Sequence, residues 1–405
     1  MKQSTRIGLI LLIIALLPAI VRLQAAIDPQ RKQFLPGRQV VSSVVTQVGN
    51  NPVVLPSQFV AGALIGFREV VAGLLWVRVN DFFHSGNYDA IIPLNRIITW
   101  LDPHQIDVYS TGAWHLAYNF TDSQNRADRR YLIPGIKFLD EGIQNNPELW
   151  DLYFEQAFTM HYWKKQDYER SVYWFRETEK RKNCPYFVYT QAAHAYERSG
   201  HLDLAINQWR KALRITEAAY AKNPKNTVAR GLADVAKRNL DLTLIRRVDR
   251  AELAKNPHDV KYEASFTRLS PRVFRVSGKI DLPDGARIEV MLTDAGYREE
   301  SMDKFTWEVN PDLTLMFDTG INGIRVENGK FSRVYDLSKD LKQYPLKAEK
   351  YTLTVFYNSR SATQDIKDHT GWSGECITDR KYLDASVPGL RLIKKVFELR
   401  REDII

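Results

Sequence analysis

The sequence predicts a multidomain α + β protein in which an α-solenoid of helical hairpins precedes an antiparallel β-sandwich. Three patterns along the 405 residues support this prediction. They are an apolar segment near the amino terminus, apolar residues at helical spacing from 58 to 256, and an alternation of apolar and polar residues beyond that point. The predicted segments are a leader over 1–27, a linker over 28–57, helical repeats over 58–256 and a sandwich over 257–405.

Charge and cysteine content narrow the range of functions. The chain has 57 Lys and Arg against 48 Asp and Glu, and the basic residues are dispersed beside acidic ones. Nucleic-acid binding needs a basic stripe interleaved with exposed aromatic residues, so we expect no nucleic-acid partner. The only cysteines, Cys184 and Cys376, fall in different predicted domains, and no Cys/His metal spacing occurs. We therefore expect neither a disulfide nor a metal or other cofactor.

The leader has the pattern of an export segment. Lys2 and Arg6 precede an apolar run over 7–21, which ends before Arg22. At about 1.5 Å per residue the run spans roughly 22 Å, which is less than the roughly 30 Å of a bilayer's hydrocarbon core. Both an uncleaved signal anchor and a cleaved signal peptide are compatible with this length. We expect the anchor, with a single pass through a bacterial inner membrane and the bulk in the periplasm; cleavage would give a secreted protein.

The helical part shows internal repetition. Its units end at prolines that are spaced 33 to 44 residues apart, namely Pro103, Pro147, Pro185, Pro224 and Pro257. Periods of this size are typical of stacked helical hairpins.

Residues 186–217 form the clearest unit. Its small and aromatic residues stand at spacings that let two helices approach closely and fill the holes between hairpins. They are Tyr189, Ala192, Ala193, Tyr196, Gly200, Ala205, Trp209 and Ala212. The unit resembles a tetratricopeptide repeat (TPR), and the preceding unit follows the same scheme with Gln166 where glycine is usual. This resemblance implies a curved stack that binds other proteins.

The last helix of the stack is predicted over 226–256. Its apolar residues are expected to cover the stack, as in a terminal cap. They are Val235, Leu240, Leu242, Leu244, Ile245 and Val248. Lys237, Arg246 and Arg247 are expected to face water.

The resemblance places the first helix of each hairpin on a concave, ligand-binding face. Projected onto this sequence, that face contains Phe154 and the predicted partner-binding residues Trp114, Tyr118, Phe158, His161, Tyr162, Thr190, His194 and Arg198. Such an aromatic and mildly basic groove suits a peptide with large apolar anchors and an acidic residue for Arg198. The alternative is that these aromatics belong to the core between repeats. His161 and His194 have no carboxylate or thiolate at metal-ligand spacing, so we expect no metal there.

The C-terminal part alternates with period two. Strands are predicted over 274–280, 287–292, 331–335 and 351–357, and the turn Glu327-Asn328-Gly329-Lys330 predicts a hairpin. These segments resemble immunoglobulin-like modules of exported bacterial proteins, which implies an antiparallel sandwich.

One loop of this part, residues 365–384, is a candidate ligand site. It combines carboxylates such as Asp368 and Glu375 with Trp372, which could stack on a sugar ring. The alternative is a structural loop with Trp372 packed beneath it. No nucleophile elbow, phosphate-binding loop or HExxH motif occurs, so we expect no enzyme. The predicted function is a membrane-tethered, protein-binding scaffold of the bacterial cell envelope. The alternative is an envelope glycan-binding protein that acts through the sandwich.

Overall fold

The structure is a computed structural model that describes residues 47–48, 51–52, 67–85, 90–119, 130–298, 310, 312–387 and 389–405. The predicted leader lies outside these residues. Of the predicted linker, only β1 (Gln47–Val48) and β2 (Asn51–Pro52) are described, and they pair with each other in antiparallel register. The described residues divide into two compact units, which fall within Met1–His115 and Lys137–Pro147 for the first and Leu116–Ile136 and Glu148–Ile405 for the second.

Helices form the described chain from Arg68 to Leu253. In chain order they are α1 (Arg68–Ser85), α2 (Ile91–Leu101), α3 (Ile106–Trp114), α4 (Leu132–Asn145), α5 (Trp150–Glu155), α6 (Tyr168–Glu179), α7 (Phe187–Arg198), α8 (Leu202–Lys222) and α9 (Thr227–Leu253). Both α3 and α5 continue without a break into π-helical turns, at His115–Asn119 and Gln156–Lys165. Among the described residues, none of the helices combines the length and the apolar character that crossing a membrane requires.

The first unit packs its helices closely. A Cβ atom added to Gly112 of α3 would lie 2.6 Å from both Asn95 Nδ2 of α2 and Phe138 Cε1 of α4, so only glycine fits there. The rings of Tyr109 and Phe138 pack beside this contact, with centroids 5.0 Å apart. Glycine at this position therefore lets α3 approach α2 and α4 closely.

In the second unit, α5 to α9 follow one another as antiparallel hairpins with short turns. The turn between α5 and α6 contains Gln166 at φ 57°, and the turn between α7 and α8 contains Gly200 at φ 86°. After the first turn, the Asp167 side chain caps α6 by accepting from the Arg170 amide. Gln166 therefore adopts the left-handed conformation that a glycine usually supplies at this position of the repeat.

The terminal helix α9 presents a different face to the stack from the one predicted. Ala229, Ala236 and Thr243, which recur every seven residues, are its buried positions, whereas Ile245 and Val248 are 58% and 62% exposed. Small side chains let α9 approach α8 closely, with Leu240 packed partly against the same core, whereas Leu242, Ile245 and Val248 are left exposed. The prediction that Leu242, Ile245 and Val248 cover the stack is therefore wrong, although the helix itself is confirmed.

Strands follow after α9 and form separate antiparallel sheets. They are β3 (His258–Asp259), β4 (Tyr262–Ser270), β5 (Val273–Ile280), β6 (Arg287–Asp294), β7 (Leu315–Asp318), β8 (Ile324–Arg325), β9 (Lys330–Asp336), β10 (Lys350–Asn358), β11 (Ile377–Thr378), β12 (Leu383–Asp384) and β13 (Leu392–Arg400). One sheet has the order β4-β5-β9, the other has the order β12-β13-β10-β6-β7 with β8 also on β6, and β11 pairs with β3 in parallel. All four predicted strands and the hairpin at Asn328 are confirmed.

The two larger sheets share one hydrophobic core. Alternate residues of each sheet enter it, for example Phe274 and Val276 from β5 and Leu353 and Val355 from β10. We call residues 257–405 the C-terminal module. The finer assignment, an immunoglobulin-like sandwich, remains a prediction, as do the four domain limits.

The predicted ligand loop contains a helix. Residues 364–370 form α10 (Gln364–Thr370), and a last short helix, α11 (Arg401–Ile404), follows β13. The predicted loop is therefore helical in its first part and, apart from the two-residue strands β11 and β12, irregular from Gly371 onward. The helix α10 lies directly against α9, which links the module to the helical repeats.

Candidate functional site

The first helix of the α5–α6 hairpin presents a row of aromatic rings. Trp150, Phe154, Phe158 and Tyr162 follow one another at a spacing of four residues, which places them on one face. Phe154 and Phe158 stack with centroids 5.2 Å apart and an interplanar angle of 18°, and Phe158 and Tyr162 stack with centroids 5.9 Å apart and an angle of 15°. The first three rings are half-buried, so part of each ring remains accessible.

A ring from the next hairpin extends this row. Phe187, the first residue of α7, packs edge-on against Phe154 with centroids 5.4 Å apart, and against Trp150 at 5.9 Å. We call the surface formed by Trp150, Phe154, Phe158 and Phe187 the open face. Its rings pack against the core between the two hairpins and also border solvent. They therefore contribute to the core, and the binding of a peptide by their exposed parts remains a prediction.

A polar row runs beside the rings on α5. Glu155 is half-buried, and its carboxylate accepts a hydrogen bond from Thr159 Oγ1 at 2.5 Å. Burial raises the pKa of Glu155, and the neighbouring charge of Asp151 adds to this effect. On the far side of the row, the Tyr118 hydroxyl donates to the Thr159 carbonyl oxygen at 2.8 Å, and Lys164 lies over the Tyr118 ring.

Three of the predicted partner-binding residues are buried. Thr190 is 2% exposed and donates to the Phe187 carbonyl oxygen, while His161 and Tyr162 are 4% and 9% exposed. Burial lowers the pKa of His161 to about 3, so this imidazole is neutral at physiological pH. These side chains support the open face from within.

His194 belongs to a buried network around Glu197. The Glu197 carboxylate accepts hydrogen bonds from Trp209 Nε1 at 3.1 Å and Thr243 Oγ1 at 2.5 Å, and His194 Nδ1 lies 3.2 Å from it. Burial alone would raise the pKa of Glu197, but the hydrogen bonds from His194, Thr243 and Trp209 lower it. The network joins α7, α8 and α9, so His194 has a structural role here.

Arg198 contacts the protein's own C-terminal module. Its Nη1 donates to the Arg360 carbonyl oxygen at 3.1 Å, and Arg360 Nη2 reaches back to the Ser199 carbonyl oxygen at 3.5 Å. Arg360 Nε also donates to Ser373 Oγ at 3.1 Å. One nitrogen of Arg198 is therefore engaged by a backbone carbonyl of the same chain, and the acidic partner residue expected for Arg198 remains a prediction.

Both hairpin turns take part in the same contact. Gln166 accepts a hydrogen bond from Ser361 Oγ at 3.1 Å, and a Cβ atom on Gly200 would lie 2.8 Å from Ser373 Oγ. Arg250 of α9 pairs with Glu375 at 2.6 Å and donates to the Gly200 carbonyl oxygen at 3.0 Å. We call this contact of the C-terminal module with the carboxyl end of α7, the two turns and α9 the closed end.

Trp372 lies beneath the closed end. It is 3% exposed, with Lys367 Nζ 4.9 Å and the Arg246 guanidinium 6.0 Å from its ring centroid. Burial lowers the pKa of Lys367 to about 6, and the charge of Arg198 acts in the same direction. The hypothesis that Trp372 stacks on a glycan is corrected by this burial, because neither face of the ring is open to a sugar.

Trp114 lies in the first unit, at the end of α3. Its side chain is 42% exposed, and its ring packs against that of His115 with centroids 5.7 Å apart. Burial lowers the pKa of His115 to about 4. Trp114 thus keeps an accessible surface of its own.

The C-terminal module carries a separate open cleft of about 810 Å³. Lys279 of β5 stands between Glu263 of β4 and Lys330 of β9 in the strand register, and Ser277 and Ser332 form the next row. Its mixed charge selects neither an anion nor a cation. In the part of the chain that the structure describes, no group of three or more His, Cys, Asp or Glu could hold a metal ion.

Sequence reasoning missed the closed end. The residues that form it, Gln166, Arg250, Arg360 and Ser373, carry no motif. One signal in the sequence could have indicated it. Gln166 stands where the repeat usually has glycine, and a non-glycine residue in a left-handed turn is uncommon enough to suggest that its side chain makes a specific contact. A second was the pair Arg246 and Arg250, which lie one helical turn apart near the end of α9.

Comparisons with known proteins find similarity in structure alone. No protein-family profile matches the chain, and no curated protein matches it. The chain is similar to the crystal structure of MamA, with 14% identity over 45% of this chain and 94% of that one and a TM-score of 0.29. It is also similar to a thermophilic TPR protein of Thermus thermophilus, with 14% identity over 44% and 95% of the chains and a TM-score of 0.28. At TM-scores this low the alignments carry no argument, so the TPR-like description rests on the hairpins themselves.

Proposed function

We propose that this chain is a protein-binding scaffold that holds a peptide of its partner on the open face. The observation that carries the proposal is the half-buried row of Trp150, Phe154 and Phe158 on the first helix of a hairpin, extended by Phe187. Large aromatic residues at the centre of a surface supply most of the binding energy of protein interfaces. The proposal requires no catalysis by the chain.

The closed end supports a fixed role for the C-terminal module. Hydrogen bonds and the Arg250–Glu375 ion pair join the module to α7 and α9. The module can therefore act as a spacer that is rigidly attached to the repeats. The apolar run over 7–21 supports a tether in the inner membrane of a bacterial envelope, with the module and the repeats in the periplasm. A C-terminal phosphatase fusion, which is active only outside the cytoplasm, tests this orientation: activity agrees with it, and an inactive but full-length fusion contradicts it.

The binding proposal is tested by selecting peptides on the full-length protein. A phage-displayed random library is panned on the wild type and then depleted on a Phe154→Ser/Phe158→Ser double variant. We expect enriched peptides whose affinity falls at least about tenfold on the variant, because each lost aromatic anchor costs about 1–2 kcal/mol or more. Circular dichroism of the variant checks that the helices remain.

Two results would count against the proposal. One is that no peptide is enriched over several rounds on the wild type. The other is that every enriched peptide binds the double variant equally well, which would place binding elsewhere on the chain.

A further inference from the structure

The rings of the open face are bordered by a polar row, so that two rows of different chemistry run side by side. The ring row, Trp150, Phe154 and Phe158, is accompanied one position later by a polar row that contains Glu155 and Thr159. Both rows are half-buried and both border solvent. Side chains three and four residues apart are neighbours on a helix surface, so Glu155 lies beside both Phe158 and Thr159, and a peptide that covers Phe158 also borders the polar row.

Glu155 is the carboxylate at the middle of this strip. Its hydrogen bond comes from Thr159, a neutral donor on its own helix. Within the described residues, no lysine, arginine or histidine forms an ion pair with Glu155. Burial raises the pKa of the Glu155 carboxyl group, and the negative charge of Asp151 adds to this effect. A half-buried carboxylate in this setting is stabilised by a cation from outside.

Cations already lie over rings elsewhere in these hairpins. Lys164 Nζ lies 5.0 Å from the centroid of Tyr118, and the Arg181 guanidinium lies 4.0 Å from that of Tyr153. The aliphatic stems of lysine and arginine cover apolar surface while their charged heads reach a polar partner. The strip on α5 offers both parts of such a site, with rings for the stem and a carboxylate for the head.

We infer that the open face binds a basic peptide segment, in which a lysine or arginine stands among apolar residues. Its charged head pairs with Glu155 and its stem lies across Phe154 and Phe158, while the apolar neighbours contact Trp150 and Phe187. This inference rests on the proposed function and adds the charge of the partner. It also reverses the expectation of an acidic partner, because Arg198 is engaged by the Arg360 carbonyl oxygen at the closed end.

The test uses the peptides selected on the full-length wild-type protein and adds Glu155→Gln, a change that keeps the shape of the side chain. The matched control is Glu217→Gln, which removes the same charge from an exposed position on α8. We expect the selected peptides to be rich in Lys and Arg and to bind Glu155→Gln about tenfold more weakly, as for the loss of a charged hydrogen bond. Glu217→Gln should change their affinity less than about twofold, and raising the salt concentration should weaken binding to the wild type.

The outcomes separate this inference from the proposed function. Peptides that need Phe154 and Phe158 but are acidic, or that bind Glu155→Gln and the wild type equally well, would overturn the inference and leave the scaffold intact. If no peptide depends on the two phenylalanines, both the inference and the proposed function are wrong. Loss of binding on Glu217→Gln equal to that on Glu155→Gln would show a general charge effect and would also overturn the inference.

Discussion

The continuous helix formed by α5 and its π-helical turns has different surroundings at its two ends. At the closed end, Tyr162 is buried and Gln166 bonds to Ser361 of the C-terminal module. At the open face, Phe154 and Phe158 belong to the same ring row and remain half-exposed. The difference teaches that a repeat surface cannot be treated as one binding site on the strength of its sequence pattern, because part of it can be filled by another part of the chain.

The largest effect should come from the network that supports the closed end. Replacing Glu197 with alanine leaves the buried Trp209 Nε1 without its acceptor and His194 without its carboxylate partner, whereas Thr243 Oγ1 can still donate to the Asn239 carbonyl oxygen. We expect a loss of about 3 kcal/mol in the free energy of unfolding, measured by urea denaturation at pH 7. A loss below about 1 kcal/mol would mean that the network does not hold α7, α8 and α9 together.

The second prediction concerns pH. The pKa of Lys367 is about 6 in the folded protein and about 10.5 in the unfolded chain, so between these values the unfolded state binds the extra proton. Its contribution to stability therefore rises with pH in this window and is smallest below pH 6. The groups that face it are Glu197, Arg198, Arg246 and Asp368.

Lys367→Met removes this titration. We expect the variant to be about 2 kcal/mol more stable than the wild type at pH 7, with the difference shrinking by about 1 kcal/mol per pH unit up to pH 9. Urea unfolding curves of both proteins at pH 6.5, 7.5 and 8.5 measure this. A difference that is constant with pH would contradict the burial of an uncharged lysine at the closed end.

The third prediction separates contact from backbone strain. Gly200 and Gly285 both have positive φ, at 86° and 93°, but only Gly200 has an atom of the module, Ser373 Oγ, within contact distance of an added Cβ. Both alanine variants should lose about 1 kcal/mol from backbone strain. Gly200→Ala should lose roughly 1 kcal/mol more, from displacement of Ser373. If thermal or urea unfolding gives equal losses of stability for the two variants, the turn at Gly200 does not contribute to the closed end.

The smallest effect is expected at Gln166. Gln166→Gly relieves the left-handed backbone but removes the hydrogen bond from Ser361, and the two changes of about 1 kcal/mol each should nearly cancel. Gln166→Ala relieves nothing and should cost about 1 kcal/mol. If glycine stabilises the protein by a full 1 kcal/mol or more in urea unfolding, the Ser361 contact contributes nothing.

Local patterns predicted the elements of the fold, and tertiary contacts decided the rest. The helices and the strands at 274–280 and 351–357 follow from their periodicity, because period and burial are linked within one element. The face of α9 that packs against the stack could not be predicted in this way. Its buried residues, Ala229, Ala236 and Thr243, are small, and the larger apolar residues of the helix suggest a different face.

The candidate site was predicted in the same partial way. The repeat register predicted that Phe154 and Phe158 share one face, and their rings do stack on each other and stay half-buried. Their role in binding remains a prediction. The hydrogen-bond partner of Arg198 is Arg360, which is 162 residues away in the chain. No local pattern encodes a contact over such a separation.

The most direct test of the central claim compares photo-crosslinking at the two ends of the surface. A photoreactive amino acid replaces Phe158 at the open face or Arg198 at the closed end of the full-length protein, and a fluorescent selected peptide is added before irradiation. We predict a covalent peptide adduct from position 158, and from position 198 only cross-links within the chain. A peptide adduct at position 198 as strong as that at 158, or its absence at 158 while the peptide still binds, would contradict the division of this surface into an open face and a closed end.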